Sequence, residues 1–458
     1  MSNDWKDTIV EMARSDPERR FTTLAHRLTP ELLTEAFQSL RKDAAPGPDG
    51  LDPLSYQENL EERIKNLHQR LRAGSYRASP VRRVYIPKPN GKLRPLGIAN
   101  VEDRVVQKAL VMVLELVYEQ DFLEFSYGFR PRRSAHDALE ALRKTVDRGR
   151  VQWVFEADIK GFFDNLSHEW LRKFVAHRIA DRGIHRLIGK VLNAGHMEDG
   201  QQVRSDTGAP QGGPLSPLLA NIYLHYVLDI WFERRFRRTC RGAVEIVRYA
   251  DDFVVCFEHA EEADRFSREV VERFAAFGLE LVPEKTRKIR FGTEQEETGP
   301  GPGSGGHTFN FLGFTHYMRR RPKRGLRTTR KPSQKSRQKF LGEVKAWLHK
   351  HMHRSPKLHQ KVLSQKLKGF YGYFYLRNCR MALKHIRWHV ERLWYRVLGK
   401  RSQRAGKSWT WMKLRTWFRL PEPGEGERAR RGGRQENVGA KMRESIAPVQ
   451  LPLFPKLA

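Results

Sequence analysis

Residues 245–257 read EIVRYADDFVVCF: two runs rich in β-branched and aromatic residues with Ala250, Asp251 and Asp252 between them. That is strand composition, yet it carries adjacent carboxylates in otherwise apolar surroundings. A carboxylate buried among such residues is unstable unless something pairs with it. A second stretch of the same kind, WVFEADI at 153–159, lies upstream within the block FEADIKGFFD and carries Asp158, 93 residues before Asp251. The two stretches read as strands whose aspartates meet at one end of a sheet.

Convergent carboxylates hold divalent metal. If Asp158 and Asp251 face each other, they share two Mg²⁺ ions, one activating a 3′-hydroxyl and both stabilising an in-line phosphoryl displacement. This is the chemistry of nucleotidyl transfer.

Working outward, residues 1–78 read as helical, with apolar residues at helical spacing in TPELLTEAFQSLRK and SYQENLEERIKNLHQRL around the turn-rich APGPDGLDP. VRRVYIPKPNGKLRPLGI reads as a hairpin turning at Pro89-Asn90-Gly91, and VEDRVVQKALVMVLELVYEQ as a buried helix. GAPQGGPLSP at 208–217 is a glycine- and proline-rich loop between helices, GTEQEETGPGPGSGG at 292–306 a flexible loop by composition, and TFNFLGFTHY a further strand candidate. The main boundary falls near Arg319. Beyond it the sequence reads as mostly helix to about Leu420, with residues 421–458 a flexible basic tail. No internal repeat is found.

The chain has 458 residues, a formal net charge of +32 and 39% hydrophobic content, enough for two or three folded domains at about 150 residues each. The charge is segregated: Arg319 to Ala458 carries 38 Lys and Arg against 7 Asp and Glu, a net +31 that leaves the preceding residues at +1. Six of the ten tryptophans share this region, so it reads as a folded cationic surface that needs a polyanion, most economically nucleic acid. No apolar run is long enough to span a membrane, and the N-terminus mixes acids with bases, unlike a signal or transit peptide. A soluble, unexported cytoplasmic protein with no membrane partner is expected. Cys240, Cys256 and Cys379 are too far apart in sequence for a disulfide framework or a zinc CxxC site.

The ordered series KPNGKLRPLGI, SYGFRPRRSAHDAL, FEADIKGFFDNLSHEWL, GAPQGGPLSPLLANIYLHYVLD, RYADDFVV, VPEKTRKI and FNFLGF resembles the sequence blocks of bacterial group II intron reverse transcriptases. APGPDGLD upstream, and KLKGFYGYFYLRN with LGKRSQRAGKSWTWMKLRTW downstream, resemble that family's N-terminal extension and its thumb or maturase region. The resemblance implies an α+β right-hand polymerase. Its expected parts are an N-terminal helical extension (1–78), fingers and palm with an antiparallel palm sheet (79–318), a basic helical thumb and maturase region (319–420) and the tail (421–458). It implies an RNA template, a DNA primer, dNTPs, two Mg²⁺ ions and a group II intron RNA as partners. The tail ends without the paired zinc cysteines of the family's His/Asn/His endonuclease, so second-strand cleavage is not expected of this chain.

By position in their blocks, the resemblance gives Asp158 and Asp251 the metals, makes Asp252 complete the acidic cluster, and offers the Ile159 carbonyl as a further ligand. Phe163 matches the steric gate that excludes a ribose 2′-hydroxyl, although core packing is its alternative. Lys88 and Arg94 match residues that grip the triphosphate, Gln211 one beside the incoming nucleotide, and Lys285 is a candidate for protonating the leaving pyrophosphate. The FLGF at 311–314 matches the primer-grip hairpin, Arg130 is read as a template contact, and His136 as packing. RNA binding is assigned to Lys368, Tyr371, Tyr373 and Arg377, where aromatic faces alternate with cations, and to Arg401, Arg404 and Lys407. The same composition in KLKGFYGYFYLRN also fits a helical core.

Two other functions compete. One is an RNA-binding splicing cofactor with a vestigial polymerase, against which the intact Asp158, Asp251 and Asp252 argue. The other is a reverse transcriptase recruited to antiviral defence, which gene context would identify.

Overall fold

In the computed structural model, residues 4–87, 93–148, 150–198, 201–203, 207–208, 212–291, 308–321, 325–376, 378–402 and 408–425 are described. The chain divides into two units, the first formed by Met1–Thr145 and Arg150–Lys288, the second by Val146–Gly149 and Ile289–Ala458.

The first unit begins with helices α1 (Asp4–Ser15), α2 (Pro30–Gln38), α3 (Pro53–Gln57) and α4 (Leu60–Arg72). Thr29 and Asp52 cap α2 and α3 through their side chains, each followed by proline at the first helical position, which is a strong local start signal. Strands β1 (Val81–Pro87) and β2 (Leu93–Ile98) form the expected antiparallel hairpin, with Arg82 opposite Ile98 and Pro87 opposite Leu93. Helix α5 (Val101–Asp121) follows, apolar on most sides and therefore central, with α1 and α2 packed on it.

Next come α6 (Ala135–Asp147), β3 (Trp153–Ala157), α7 (His168–Arg178), α8 (Arg182–Leu192), β4 (His196–Glu198), β5 (Gln201–Val203) and α9 (Ser216–Leu224). Helix α9 runs on through π-type turns at His225–Asp229 and Phe232–Phe236. The stretch EIVRYADDFVVCF is a hairpin, β6 (Val244–Tyr249) and β7 (Asp252–Phe257), followed by α10 (Ala260–Ala275) and β8 (Arg287–Arg290).

Two four-stranded sheets result. One has the order β2-β1-β4-β5, in which β4 joins β1 in parallel. The other has the order β6-β7-β3-β8, antiparallel at β6/β7 and β7/β3. Helix α10 covers this second sheet, with Phe266 against Phe155 (ring centroids 5.2 Å apart), Phe236 (5.0 Å) and Phe257 (5.6 Å). These rings belong to one continuous core that also takes in Leu33, Val105, Tyr118 and Tyr223.

The second unit contains β9 (Phe309–Phe311), β10 (Phe314–Arg321) and β11 (Gly325–Pro332) in an antiparallel sheet. The FLGF segment is its tight turn: Leu312 (φ 48°) and Gly313 (φ 77°) are both left-handed, as a two-residue hairpin loop requires. Helices α11 (Gln334–Lys350), α12 (Pro356–Phe374), α13 (Arg380–Gly399) and α14 (Trp411–Trp417) follow. Trp394 is fully buried among them, its indole donating to His359 Nδ1 at 3.1 Å, so Nε2 of His359 carries the proton donated to the His351 carbonyl.

The fold is α+β, as expected. Past Arg319 the described residues are mostly helix, but β10 first continues to Arg321 and β11 pairs with it along its full length. The segments read as flexible at 292–306 and beyond Glu425 lie outside the described residues. No helix among the described residues is long and apolar enough to cross a membrane.

Candidate active site

The register of the β6-β7-β3-β8 sheet builds the site. Ala157 lies opposite Phe253 in the last pair of the β3/β7 ladder, so Asp158, which follows β3, and Asp252, which begins β7, lie at the same end of the two strands. Tyr249 pairs with Asp252, which leaves Ala250 and Asp251 as the two residues of the connecting turn. All three predicted aspartates therefore stand at one end of one sheet.

Beyond β3 the backbone is pinned. The Asp158 carbonyl accepts from Val282 N (2.8 Å), Ile159 bridges Leu281, and Lys160 N donates to the Glu280 carbonyl (2.8 Å). This brings Lys285 to Asp158: its ammonium donates to Asp158 Oδ2, with both side chains partly open to solvent. Lys285 is thus linked to the acidic end of the sheet across 127 residues of sequence.

Phe163 follows Gly161, whose left-handed backbone (φ 52°) starts a short 3₁₀ turn at Phe162–Asp164. The Phe163 ring is half-buried, edge-on to Phe162 at 5.5 Å. Gly208 lies against this turn with φ 91°, and a Cβ there would come within 3.0 Å of the Asp164 carbonyl and 3.2 Å of that of Phe163. Gly212 approaches β2 still more closely, since a Cβ would meet the Gly97 carbonyl at 2.7 Å. Gly208 and Gly212 are there because backbone passes backbone. Arg94 lies in β2 opposite Ile86, while Lys88 and Gln211 lie outside the described residues.

The Asp251 turn has a buried support that the sequence reading missed. Arg248 and Asp229 are both fully buried, and the guanidinium donates to both carboxylate oxygens (Nε–Oδ1 2.8 Å, Nη2–Oδ2 2.5 Å). Arg248 Nη1 also donates to Asn221 Oδ1 (3.1 Å) and to the Ala250 carbonyl (3.0 Å). The available signal was an arginine within an apolar strand and an aspartate within the apolar helix YLHYVLDIW. Each demands a partner, but neither names it.

Burial holds the neighbouring His225, 3.9 Å from Asp229, down to about 3, aided by the positive charges of Arg248 and Arg130.

Several assignments change. Arg130 is buried and its donors are engaged: it pairs with Glu119 (3.1 Å) and donates to the carbonyls of Leu123 (2.8 Å) and Ser126 (2.9 Å). It shapes the SYGFR loop, and this geometry offers no template contact. His136 is half-buried in α6. Tyr371 is buried in the helical core of the second unit, where burial raises its phenol, and Tyr373 donates to the Leu312 carbonyl at 2.9 Å. Both are packing residues of α12, as the alternative reading of that segment held, whereas Lys368 on the same helix is exposed. Arg401 is half-buried and donates to the Arg354 carbonyl at 2.5 Å. Arg377, Arg404 and Lys407 lie outside the described residues.

Among the described residues, no three His, Cys, Asp or Glu side chains are already gathered into a metal cage. The site still fits a hard divalent cation in kind: its donors are carboxylate oxygens, and a cationic ammonium already sits on Asp158.

A family model described as "Reverse transcriptase (RNA-dependent DNA polymerase)" matches residues 86–316. Protein YkfC of Escherichia coli K12 is 39% identical over 279 residues, covering 54% of this chain and 73% of that protein. The group II intron-encoded protein LtrA of Lactococcus lactis is 40% identical over 221 residues, 48% of this chain and 37% of LtrA. Nuclear intron maturase 3, mitochondrial, of Arabidopsis thaliana is 28% identical over 196 residues, 42% of this chain and 25% of that protein. The aligned part thus spans most of YkfC but little more than a third of LtrA.

Proposed function

The chain belongs to the reverse transcriptase (RNA-dependent DNA polymerase) family, in its group II intron branch, and on that premise we propose that it copies RNA into DNA at the acidic end of the β6-β7-β3-β8 sheet. The observation that carries this reading is the strand register that sets Asp158, Asp251 and Asp252 together within the matched domain.

Asp158 and Asp251, with Asp252 and the Ile159 carbonyl, would hold two Mg²⁺ ions. When bound, these ions would supply activation of the primer 3′-hydroxyl and neutralisation of the departing charge. The residues around them do the rest. Lys285, paired here with Asp158, would offer its proton to the leaving pyrophosphate. Phe163 walls the sugar site on the 2′ side, and Lys88, Arg94 and Gln211 orient the incoming dNTP. The β2-β1-β4-β5 sheet would act as fingers, the β6-β7-β3-β8 sheet as palm and helices α11–α14 as thumb.

The basic second unit would bind template–primer and, through cations such as Lys368, structured intron RNA in a maturase role. Primer extension by Asp251→Asn tests the assignment: DNA synthesis is lost while RNA binding persists, because a metal ligand goes and the basic surface does not. Retention of more than a few per cent of wild-type synthesis would overturn it.

A further inference from the structure

We propose that Arg248 is a positioning residue for the turn that carries Asp251, aimed at it by Asp229 and Asn221. The inference rests on the reading of Asp251 as a metal-binding carboxylate.

A buried guanidinium–carboxylate pair loses so much hydration that apolar residues of the same volume often serve stability equally well or better. Stability alone therefore gives a weak account of why Arg248 and Asp229 sit together in the core with no exposure of either side chain. The distribution of its donors gives a stronger one. Two arms of the fork are fixed on Asp229, and the third is shared between Asn221 and the carbonyl of Ala250, the residue next to Asp251. A lysine could not do this, since one ammonium has neither the reach nor the fixed planar geometry.

Ala250 needs such a hold. Its φ of 57° is left-handed, a conformation disfavoured for any residue with a Cβ. The turn is gripped on its other side as well. Gly128 comes so close that a Cβ would lie 2.2 Å from Ala250 N, and Asn221 Nδ2 donates to the Gly128 carbonyl at 2.7 Å. Backbone bonds complete the clamp, from Arg248 N to the Phe125 carbonyl (2.9 Å) and from Tyr127 N to the Arg248 carbonyl (2.9 Å). Asn221 thus ties together the arginine and the loop that walls the turn.

The helix is shaped to the same end. In an uninterrupted α-helix, residues eight apart such as Asn221 and Asp229 point about 80° away from each other. The wider π-type turn at His225–Asp229 reduces that offset, and both side chains converge on one guanidinium.

The test uses the full-length protein with R248K, N221A, and R248K combined with A250G. Four quantities are measured: the single-turnover rate of nucleotide addition at saturating dNTP, Mn²⁺ binding to the enzyme–template–primer complex by electron paramagnetic resonance, template–primer affinity, and the melting temperature. R248K is expected to lower the rate roughly 10- to 100-fold and to weaken Mn²⁺ binding while template–primer affinity holds. Adding A250G, which makes the left-handed turn free of steric penalty, should recover part of the rate without restoring the melting temperature. If R248K does not fold, N221A decides on the same two readouts. Wild-type rate and Mn²⁺ affinity in the folded variants, or a loss that A250G leaves untouched, would make the pair merely structural and sink the proposal. D251N separates the two failures. Persisting synthesis in D251N removes the metal reading and the proposal with it; an inactive D251N beside an unimpaired R248K removes the proposal alone.

Discussion

Gly128→Ala probes the contact between the SYGFR loop and the aspartate turn with a single methyl group. A Cβ at residue 128 would lie 2.2 Å from Ala250 N, 2.8 Å from Tyr249 C and 3.0 Å from Ala250 Cα. Ordinary contact begins near 3.4 Å, so loop and turn must separate by about 1.2 Å. All three atoms are backbone, and no side chain can rotate out of the way. Overpacking of this kind costs about 1–3 kcal/mol, or a melting temperature lower by roughly 2–12 °C for a unit of this size. The catalytic effect should be larger in proportion, because a displacement near 1 Å at a reacting group costs about 100-fold in rate. Single-turnover primer extension, run beside thermal unfolding, checks both figures. Gly189→Ala in α8 serves as the control: nothing lies within 4 Å of its added methyl, and alanine favours a helix interior. A Gly128→Ala enzyme that extends primers at near the wild-type rate would refute the reasoning, since the turn would then not be held by that approach.

Phe163→Ala should admit ribonucleotides by opening the 2′ side of the sugar site, at a modest loss of stability because the ring also packs on Phe162; unchanged sugar selectivity would return Phe163 to plain packing. His225 is held to about 3 in the fold against 6.5 as its ordinary value. The unfolded chain alone takes up that proton below pH 6.5, so the stability due to His225 is complete above pH 6.5 and is lost as pH falls toward 3, by up to about 1.4 kcal/mol per pH unit. His225→Gln should flatten that acid slope in denaturant melts even with Asp229 and Arg248 in place, and parallel curves for the two proteins would contradict it. RNA affinity should fall steeply with salt, with a log–log slope of roughly 0.7–0.9 per phosphate contacted. Removal of residues from Arg319 onward should abolish most of that slope, and a slope retained by the shortened protein would place the RNA surface in the first unit.

How much was legible depended on whether a feature is local. The β1/β2 hairpin, the central helix α5 and the two aspartate-bearing stretches were readable because period, turn residues and unpaired carboxylates leave their mark within a few positions of one another. Strand β11 was not, since GLRTTRKP has little apolar alternation and becomes a strand only by pairing with β10. Tyr371 and Tyr373 misled for a related reason. Aromatic residues interleaved with cations describe an RNA-stacking surface and an amphipathic helix equally well, and only packing shows which way the rings turn.

By itself, then, the amino-acid order determined the family blocks, the aspartate-bearing stretches and the segregation of charge, all of which are properties of residue type and spacing. Tertiary structure alone decided that Arg130 is walled in by Glu119, that Lys285 reaches Asp158 from 127 residues away, and that Arg248, Asp229, Asn221 and Gly128 meet around Ala250. The physical reason is that a buried charge announces in sequence only its need for a partner. Which residue answers that need depends on strand register, helix phase and the close approach of backbones, and these exist only once the chain has folded.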